Sequence, residues 1–132
     1  MRVGLICCTI QHMTRTELLQ QCQARAARVW AEYCRIYPQL LKYTQPEIVL
    51  NARFSKTAGN CEVEHNIINL GLKFFAKHYD RMMFEIIPHE IAHQIDYNLH
   101  GLPPNNRWHG KTWQNIMIRY GLEPKPYHDM EI

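Results

Sequence analysis

The segment His-Glu-Ile-Ala-His at residues 89–93 is the part of the chain best suited to chemistry. Residues four apart on an α-helix lie about 40° apart around the axis and ~6 Å apart along it, so His89 and His93 can both reach one metal ion. Glu90 lies on the flank of this pair, where its carboxylate can reach a water molecule held at the metal. The spacing therefore predicts a hydrolytic zinc site with two histidine ligands and an adjacent base.

A catalytic zinc ion needs a third protein ligand and one open coordination position. His109 is the preferred third ligand, because it follows a proline-containing loop and a second helix can return it to the ion. Asp96 lies one turn beyond His93 and can either bind the metal or orient a ligand histidine. His100 faces the same way but lies ~10.5 Å from His93 along a continuous helix, which is far for a shared ion. Asp96 and His100 remain alternatives to His109.

Size, composition and charge restrict the class of protein. A chain of 132 residues that is 46% hydrophobic and 20% charged predicts one globular domain over residues 1–132, with a segment at 1–13 and a tail at 124–132 that is loosely held. The formal net charge of +3 does not by itself indicate a nucleic-acid partner. No apolar run approaches the ~18 residues of a membrane span, so we expect no membrane partner. A monomer is expected.

The five cysteines contain no CxxC pair and fit neither a disulfide framework nor a zinc module. They are predicted to be reduced core residues, which favours a cytoplasmic location. The short apolar run from Val3 to Ile10 is predicted to be a buried strand or a lead-in to the first helix, since it lacks a cleavage site of the signal-peptide type.

The elements before the motif must support it. A capping box from Thr14 to Glu17, followed by an apolar stripe, predicts a helix of about twenty residues that ends before Pro38. Alternating residues predict strands at 47–54 and 61–70. The two strands are expected to pair across a turn at 55–60, in which Gly59 is free to take a positive φ.

The second half of the chain is predicted to be mainly helical. A short helix at 72–80 is followed by a helical span at 81–100, with Asp80 as its cap and Pro88 either kinking it or opening it at the first turn. A last helix covers 109–121 and ends at Gly121. This order predicts an α+β fold with a long N-terminal helix, a small antiparallel sheet, an active-site helix and a C-terminal helix.

The chain resembles the SprT-like zinc metalloproteases, which include the Spartan proteins. The resemblance rests on IIPHEIAHQ at 86–94 and on HGKTW at 109–113, that is, on HExxH followed after a loop by a histidine–glycine pair. Upstream, TAGNCEVEHNIINL at 57–70 resembles the family's strand segment before the motif helices. The similar region extends over roughly residues 15–122.

The resemblance implies a zincin-like fold and a peptidase activity. It implies that His89, His93 and His109 are zinc ligands and that Glu90 is the catalytic acid–base. Spartan proteins cut proteins crosslinked to DNA, so DNA-associated proteins are implied substrates, with DNA as a partner and the nucleoid as a location. Many members add a zinc ribbon of four cysteines near the C-terminus. No cysteine follows Cys61 here, so a form without the ribbon is expected. The basic residues then available to DNA are Arg53, Lys56, Arg107 and Lys111.

The favoured hypothesis is a zinc-dependent endopeptidase acting on protein or peptide substrates. Residues 60–68 are expected to offer a strand edge to an extended substrate. Candidate donors to the oxyanion are Tyr97, Tyr120, Tyr127 and His128. The alternatives are a non-catalytic, zinc-stabilised module that binds DNA or protein, and a zinc hydrolase acting on a small amide or a peptidoglycan fragment.

Overall fold

The computed structural model describes residues 13–132 of the chain. The predicted strand or lead-in at 3–10 lies outside the described residues. Among these residues the fold is α+β, with four α-helices, α1 (Arg15–Ile36), α2 (Phe75–Arg81), α3 (Ile87–His100) and α4 (Lys111–Tyr120), and three strands, β1 (Glu47–Asn51), β2 (Gly59–Glu62) and β3 (Ile67–Gly71). Short 3-10 turns lie at Pro38–Lys42, Leu72–Phe74 and Pro104–Asn106, and a π-helical turn at Met82–Ile86 joins α2 to α3.

Helix α1 begins and ends where the sequence predicts. The Thr14 hydroxyl accepts a hydrogen bond from the Glu17 amide, and the Thr14 amide donates to the Glu17 carboxylate, which completes the capping box. The helix ends at Ile36, ahead of Pro38. The buried side of α1 is the predicted apolar stripe, formed by Leu18, Cys22, Ala26, Val29, Trp30 and Tyr33.

The sheet is mixed, so the prediction of a small antiparallel sheet is wrong. The strand order is β1-β3-β2, with β1 parallel and β2 antiparallel to β3. The predicted strand at 61–70 is two strands around a turn, in which Asn66 has φ 57°. The Asn66 side chain donates to the carbonyl of Thr44 at 2.9 Å, and the Glu47 amide donates to the Asn66 carbonyl at 3.0 Å. These contacts place the start of β3 beside the start of β1, which makes that pair parallel.

Two local predictions are also wrong. Gly59 is an extended residue of β2 and is not among the glycines with positive φ. Its lack of a side chain serves close packing instead, because a Cβ there would lie 3.0 Å from Ile86 Cγ2 and 3.3 Å from Glu90 Cγ. Asp80 lies inside α2 and does not cap α3, because the chain continues helically through the π-turn.

Helix α3 runs through the centre of the protein, and the residues from Ile87 to Asp96 are all buried. Pro88 lies in its first turn, which is one of the two predicted arrangements. The Gln94 side-chain amide donates to the Val63 carbonyl at 3.0 Å, and the Tyr33 hydroxyl donates to the Pro88 carbonyl at 3.3 Å. The sheet and α1 therefore fix α3 from two sides. No helix within residues 13–132 is long and apolar enough to span a membrane.

Candidate metal centre

The structure brings together the three histidines that the sequence selects. One ring nitrogen from each of His89, His93 and His109 lies within 4.8 Å of the other two. His89 and His93 come from one turn of α3 and are 3% and 8% exposed. His109 comes from the segment just before α4, where its carbonyl accepts a hydrogen bond from the Gln114 side chain at 2.9 Å. The tertiary fold thus closes a three-histidine cluster that can hold a metal ion.

The distance between the ring nitrogens of two of these histidines is close to that expected for two ligands of one metal ion. His93 Nε2 and His109 Nε2 lie 3.1 Å apart. Two nitrogens that each bind one zinc ion at ~2.0–2.1 Å with tetrahedral angles lie roughly 3.3–3.4 Å from each other. This pair therefore needs an adjustment of only a few tenths of an ångström to share such an ion, and the nitrogen of His89 lies within 4.8 Å of both.

The side chain of Trp113 packs against all three imidazoles. Its side chain is fully buried, and its ring lies 4.9 Å from His89, 5.1 Å from His93 and 4.7 Å from His109, measured between ring centroids. The ring stacks on His93 with an interplanar angle of 15° and meets the other two edge-on. Trp113 is the anchor of α4 in the core, so the same residue that docks α4 also orients the ligand candidates.

Burial keeps the histidines neutral in the metal-free protein. Loss of solvent, with the neighbouring imidazoles of His93, His128 and His109, lowers the pKa of His89 to about 2. Burial and the proximity of His109 lower the pKa of His93 to about 3. Burial and His128 also lower the pKa of His109. Neutral imidazoles carry a free lone pair, which is the form that binds a metal cation.

Glu90 is buried beside the cluster without belonging to it. Its Oε2 lies 3.8 Å from His89 Nε2, and the residue is 5% exposed. This approach is not an ion pair in the metal-free protein. Burial raises the pKa of Glu90 to about 8, while that of His89 falls to about 2, so both groups are neutral at pH 7. A nearby cation favours the charged carboxylate and lowers that pKa again.

The two alternative third ligands point elsewhere. His100 Nδ1 and Asp96 Oδ1 lie 2.9 Å apart and form their own pair along α3. His100 lines a separate cavity of about 690 Å³ beside α4. Neither residue joins the metal-competent cluster found among residues 13–132. Asp96 and His100 are therefore not partners of the three histidines.

The cluster opens into a cleft of about 420 Å³. It is lined by the segment from Lys56 to Cys61, which includes the first three residues of the edge strand β2, and by Trp108 and tail residues, among them Tyr127 and His128. This volume is within the range of small-ligand and active-site pockets. Residues of the tail at 124–132 thus form part of the cleft.

The fold places two of the four predicted oxyanion donors at the cleft and the other two away from it. Tyr127 and His128 line the cleft. Tyr120 instead stacks on Tyr33 at 4.4 Å between ring centroids, and its hydroxyl donates to Glu32. Tyr97 does not line the cleft. The structure therefore leaves Tyr127 and His128 near the site.

Sequence reasoning named His128 only as a candidate oxyanion donor and missed its contacts with the cluster. Its Nε2 lies 3.1 Å from His89 Nδ1, and its Nδ1 lies 2.8 Å from Glu85 Oε1. Glu85 is held in turn by Arg81. A signal was present in part, because Arg81, Glu85, His89 and His93 recur every four residues. Nothing local in the sequence links that series to His128.

Comparison with known proteins gives one consistent result. The family model described as the SprT-like family matches residues 19–128. Protein SprT of Vibrio parahaemolyticus serotype O3:K6 (strain RIMD 2210633) is 31% identical over 111 residues, which are 82% of this chain and 65% of that protein. Protein SprT of Vibrio atlanticus (strain LGP32) is 31% identical over 58% of this chain and 45% of its own length. Protein SprT of Pseudomonas entomophila (strain L48) is 28% identical over 68% of this chain and 54% of its own length.

The chain thus spans between about half and two thirds of the length of these relatives. No solved structure matches the chain, so the zincin-like fold implied by the resemblance stays a prediction. The family model covers the three histidines, Glu90 and both sides of the cleft. On this match the chain belongs to the SprT-like family.

Proposed function

We propose that the protein is a zinc-dependent endopeptidase that hydrolyses peptide bonds in protein substrates. The observation that carries the proposal is the combination of three neutral, converging imidazoles with one buried carboxylate at their edge. A purely structural metal site has no need for that carboxylate, whereas a hydrolytic site requires a base that does not bind the metal. Membership of the SprT-like family supports the same reading.

His89, His93 and His109 would hold the metal, and Glu90 would move the proton. When bound, zinc supplies Lewis-acid chemistry that acidifies a water molecule and polarises the scissile carbonyl. The Glu90 carboxylate accepts a proton from the attacking water and then delivers it to the leaving amine nitrogen. The apolar surroundings that raise the pKa of Glu90 also favour its holding that proton between the two steps. Tyr127, at the cleft wall, is the candidate to donate to the oxyanion, because both ring nitrogens of His128 already lie within hydrogen-bonding distance of Glu85 and His89.

Strand β2 offers a way to position the substrate. It is an edge strand, since the sheet order is β1-β3-β2, and it lines the cleft beside Glu90. The absence of a side chain at Gly59 lets β2 pack close to Glu90, because a Cβ there would lie 3.3 Å from Glu90 Cγ. An extended peptide that pairs with the outer edge of β2 would pass directly over the cluster. Recognition through backbone hydrogen bonds would give low side-chain specificity, which suits an enzyme that cuts proteins of varied sequence.

The test is the variant Glu90→Gln, which keeps the shape of the side chain and removes the base. We expect it to bind zinc with wild-type affinity and to lose cleavage of casein by about 10²–10⁴-fold. The matched control is Glu64→Gln, an exposed carboxylate in the turn between β2 and β3, which should cleave normally. Cleavage by Glu90→Gln at the wild-type rate would contradict the assignment of the base.

The same assay separates the competing functions. Zinc binding without cleavage of any protein, in the presence or absence of DNA, would favour a non-catalytic binding module. Cleavage of small amides but not of peptides would favour a small-molecule hydrolase. DNA association stays a prediction that rests on the exposed residues Arg53, Lys56, Arg107 and Lys111; its measurement is the change in cleavage rate on adding single- or double-stranded DNA at two salt concentrations.

A further inference from the structure

The tail after α4 brings a histidine, His128, to the candidate metal centre. The side chain of His128 is only 10% exposed. One of its ring nitrogens lies 3.1 Å from His89 Nδ1, and the other lies 2.8 Å from Glu85 Oε1. The three side chains therefore form a hydrogen-bonded chain that ends at a proposed metal ligand.

The far end of this chain is firmly fixed. Arg81 Nε and Nη2 lie 3.1 Å and 3.2 Å from the two oxygens of Glu85, a two-point contact of guanidinium and carboxylate. Although burial acts to raise it, hydrogen bonds from Arg81 and His128 hold the pKa of Glu85 below its ordinary value. Glu85 is therefore an ionised carboxylate at neutral pH, and an ionised carboxylate can only accept hydrogen bonds.

The direction of each hydrogen bond follows from that constraint. Because Glu85 can only accept, the proton of a neutral His128 must be on Nδ1. Its Nε2 is then an acceptor, and the hydrogen bond to His89 requires the proton on His89 Nδ1. His89 Nε2 is left with a free lone pair, and this atom is the one that lies 3.8 Å from Glu90 Oε2. The tail thus selects the tautomer of His89 that can bind a metal through Nε2.

We infer that His128, held by Glu85, is a positioning residue that fixes the tautomer and ring orientation of His89 for metal binding. The inference rests on the proposed metal role of His89. Outer-shell partners of this kind typically change metal affinity by about 10–100-fold when they are removed. A positioning role for His128 also gives the tail a function in the chemistry, because residues 124–132 would complete the metal site.

The experiment compares three variants of the full chain. His128→Phe keeps a ring but removes both hydrogen bonds. His128→Gln keeps an amide oxygen that can accept from His89 Nδ1. The control, His78→Phe, removes a different tail contact, the 2.8 Å hydrogen bond between His78 Nε2 and the Glu131 carbonyl, and leaves His128 intact. Zinc affinity is measured by competition with a chromogenic chelator, and the tautomer of His89 is read by ¹⁵N NMR in the metal-free protein.

We expect His128→Phe to bind zinc about 10–100-fold more weakly and to show a mixture of His89 tautomers. His128→Gln should recover most of the affinity, and His78→Phe should stay within about twofold of wild type. Unchanged affinity and an unchanged Nδ1–H tautomer in His128→Phe would overturn the inference. An equal loss in His78→Phe would assign the effect to docking of the tail and would also overturn it.

Two further results separate this inference from its rivals. If His128 were itself a metal ligand, the visible spectrum of the Co²⁺-loaded protein would change in His128→Phe as a ligand is lost, which would overturn a positioning role. The inference predicts a Co²⁺ spectrum with unaltered ligand number at saturating metal. Cleavage by Glu90→Gln at the wild-type rate would defeat the proposed peptidase mechanism, yet it would leave these affinity and tautomer measurements as they stand.

Discussion

Replacement of Trp113 tests how the metal centre depends on the packing of α4. Trp113 is fully buried and lies within 5.1 Å of all three histidine rings, measured between centroids. Trp113→Ala removes the indole ring that packs against the three imidazoles, together with the main contact of α4 with the core. Its indole Nε1 has no protein acceptor among residues 13–132, so the hydrogen bonding of its neighbours is unaffected by the change. The loss is therefore a packing loss.

The magnitude follows from burial and from linkage. Truncation of a buried tryptophan to alanine costs about 3–5 kcal/mol of unfolding free energy, out of a total of about 5–15 kcal/mol for a typical domain. Zinc at a thousandfold excess over its Kd stabilises the native state by about 4.1 kcal/mol, and at a hundredfold excess by about 2.7 kcal/mol. If the loosened histidines bind zinc tenfold more weakly, the stabilisation by zinc falls by about 1.4 kcal/mol.

The assay is urea unfolding with chelator and with excess zinc. Trp113→Phe, which keeps an aromatic ring, should lose less in both conditions. Trp108→Ala is the matched control, because that tryptophan is only half-buried at the cleft wall and should cost little stability. A Trp113→Ala protein that unfolds within about 0.5 kcal/mol of wild type and binds zinc equally well would refute the packing argument.

Three further outcomes are expected. The metal-free protein should be most stable near pH 6.5. Below that pH the unfolded chain takes up protons at His89 and His93 that the folded protein, with pKa values of about 2 and 3 for these groups, does not bind. Above it the unfolded chain has already lost the proton of Glu90, which the folded protein keeps up to a pKa of about 8, so stability falls until that pH. Urea unfolding from pH 5 to 9 measures this, and a stability that rises steadily with acidity would exclude it. Gly59→Ala should cost about 1–3 kcal/mol of unfolding free energy by overpacking and should lower cleavage, since a Cβ would press on Ile86 and Glu90; wild-type stability and activity would argue against this close packing of β2 on Glu90. Tyr33→Phe removes the hydrogen bond to the Pro88 carbonyl and should cost about 0.5–1.5 kcal/mol in thermal or urea unfolding, with cleavage retained.

The sequence determined those features that depend on neighbours along the chain. The capping box at Thr14 and the end of α1 before Pro38 were predicted correctly, since cap chemistry and the missing amide of proline act over a few residues. The spacing of His89, Glu90 and His93 likewise assigned separate roles, because helical geometry is the same in any fold. The return of His109 was predicted from the loop and the resemblance, and the tertiary structure places it at the cluster.

Only the tertiary structure decided what depends on contacts distant in sequence. Alternation of polar and apolar residues has the same period in parallel and antiparallel strands, so it could not show that Asn66 turns the chain and sets β3 parallel to β1. The requirement for glycine at position 59 follows from the packing of β2 on α3, which the sequence does not show. The hydrogen bonds from Glu85 to His128 and from His128 to His89 join residues about forty positions apart, and no local sequence pattern encodes such contacts. Helical spacing therefore supplied the two histidines and the adjacent carboxylate, while packing brought in the third histidine, the cleft and the side chains that surround them.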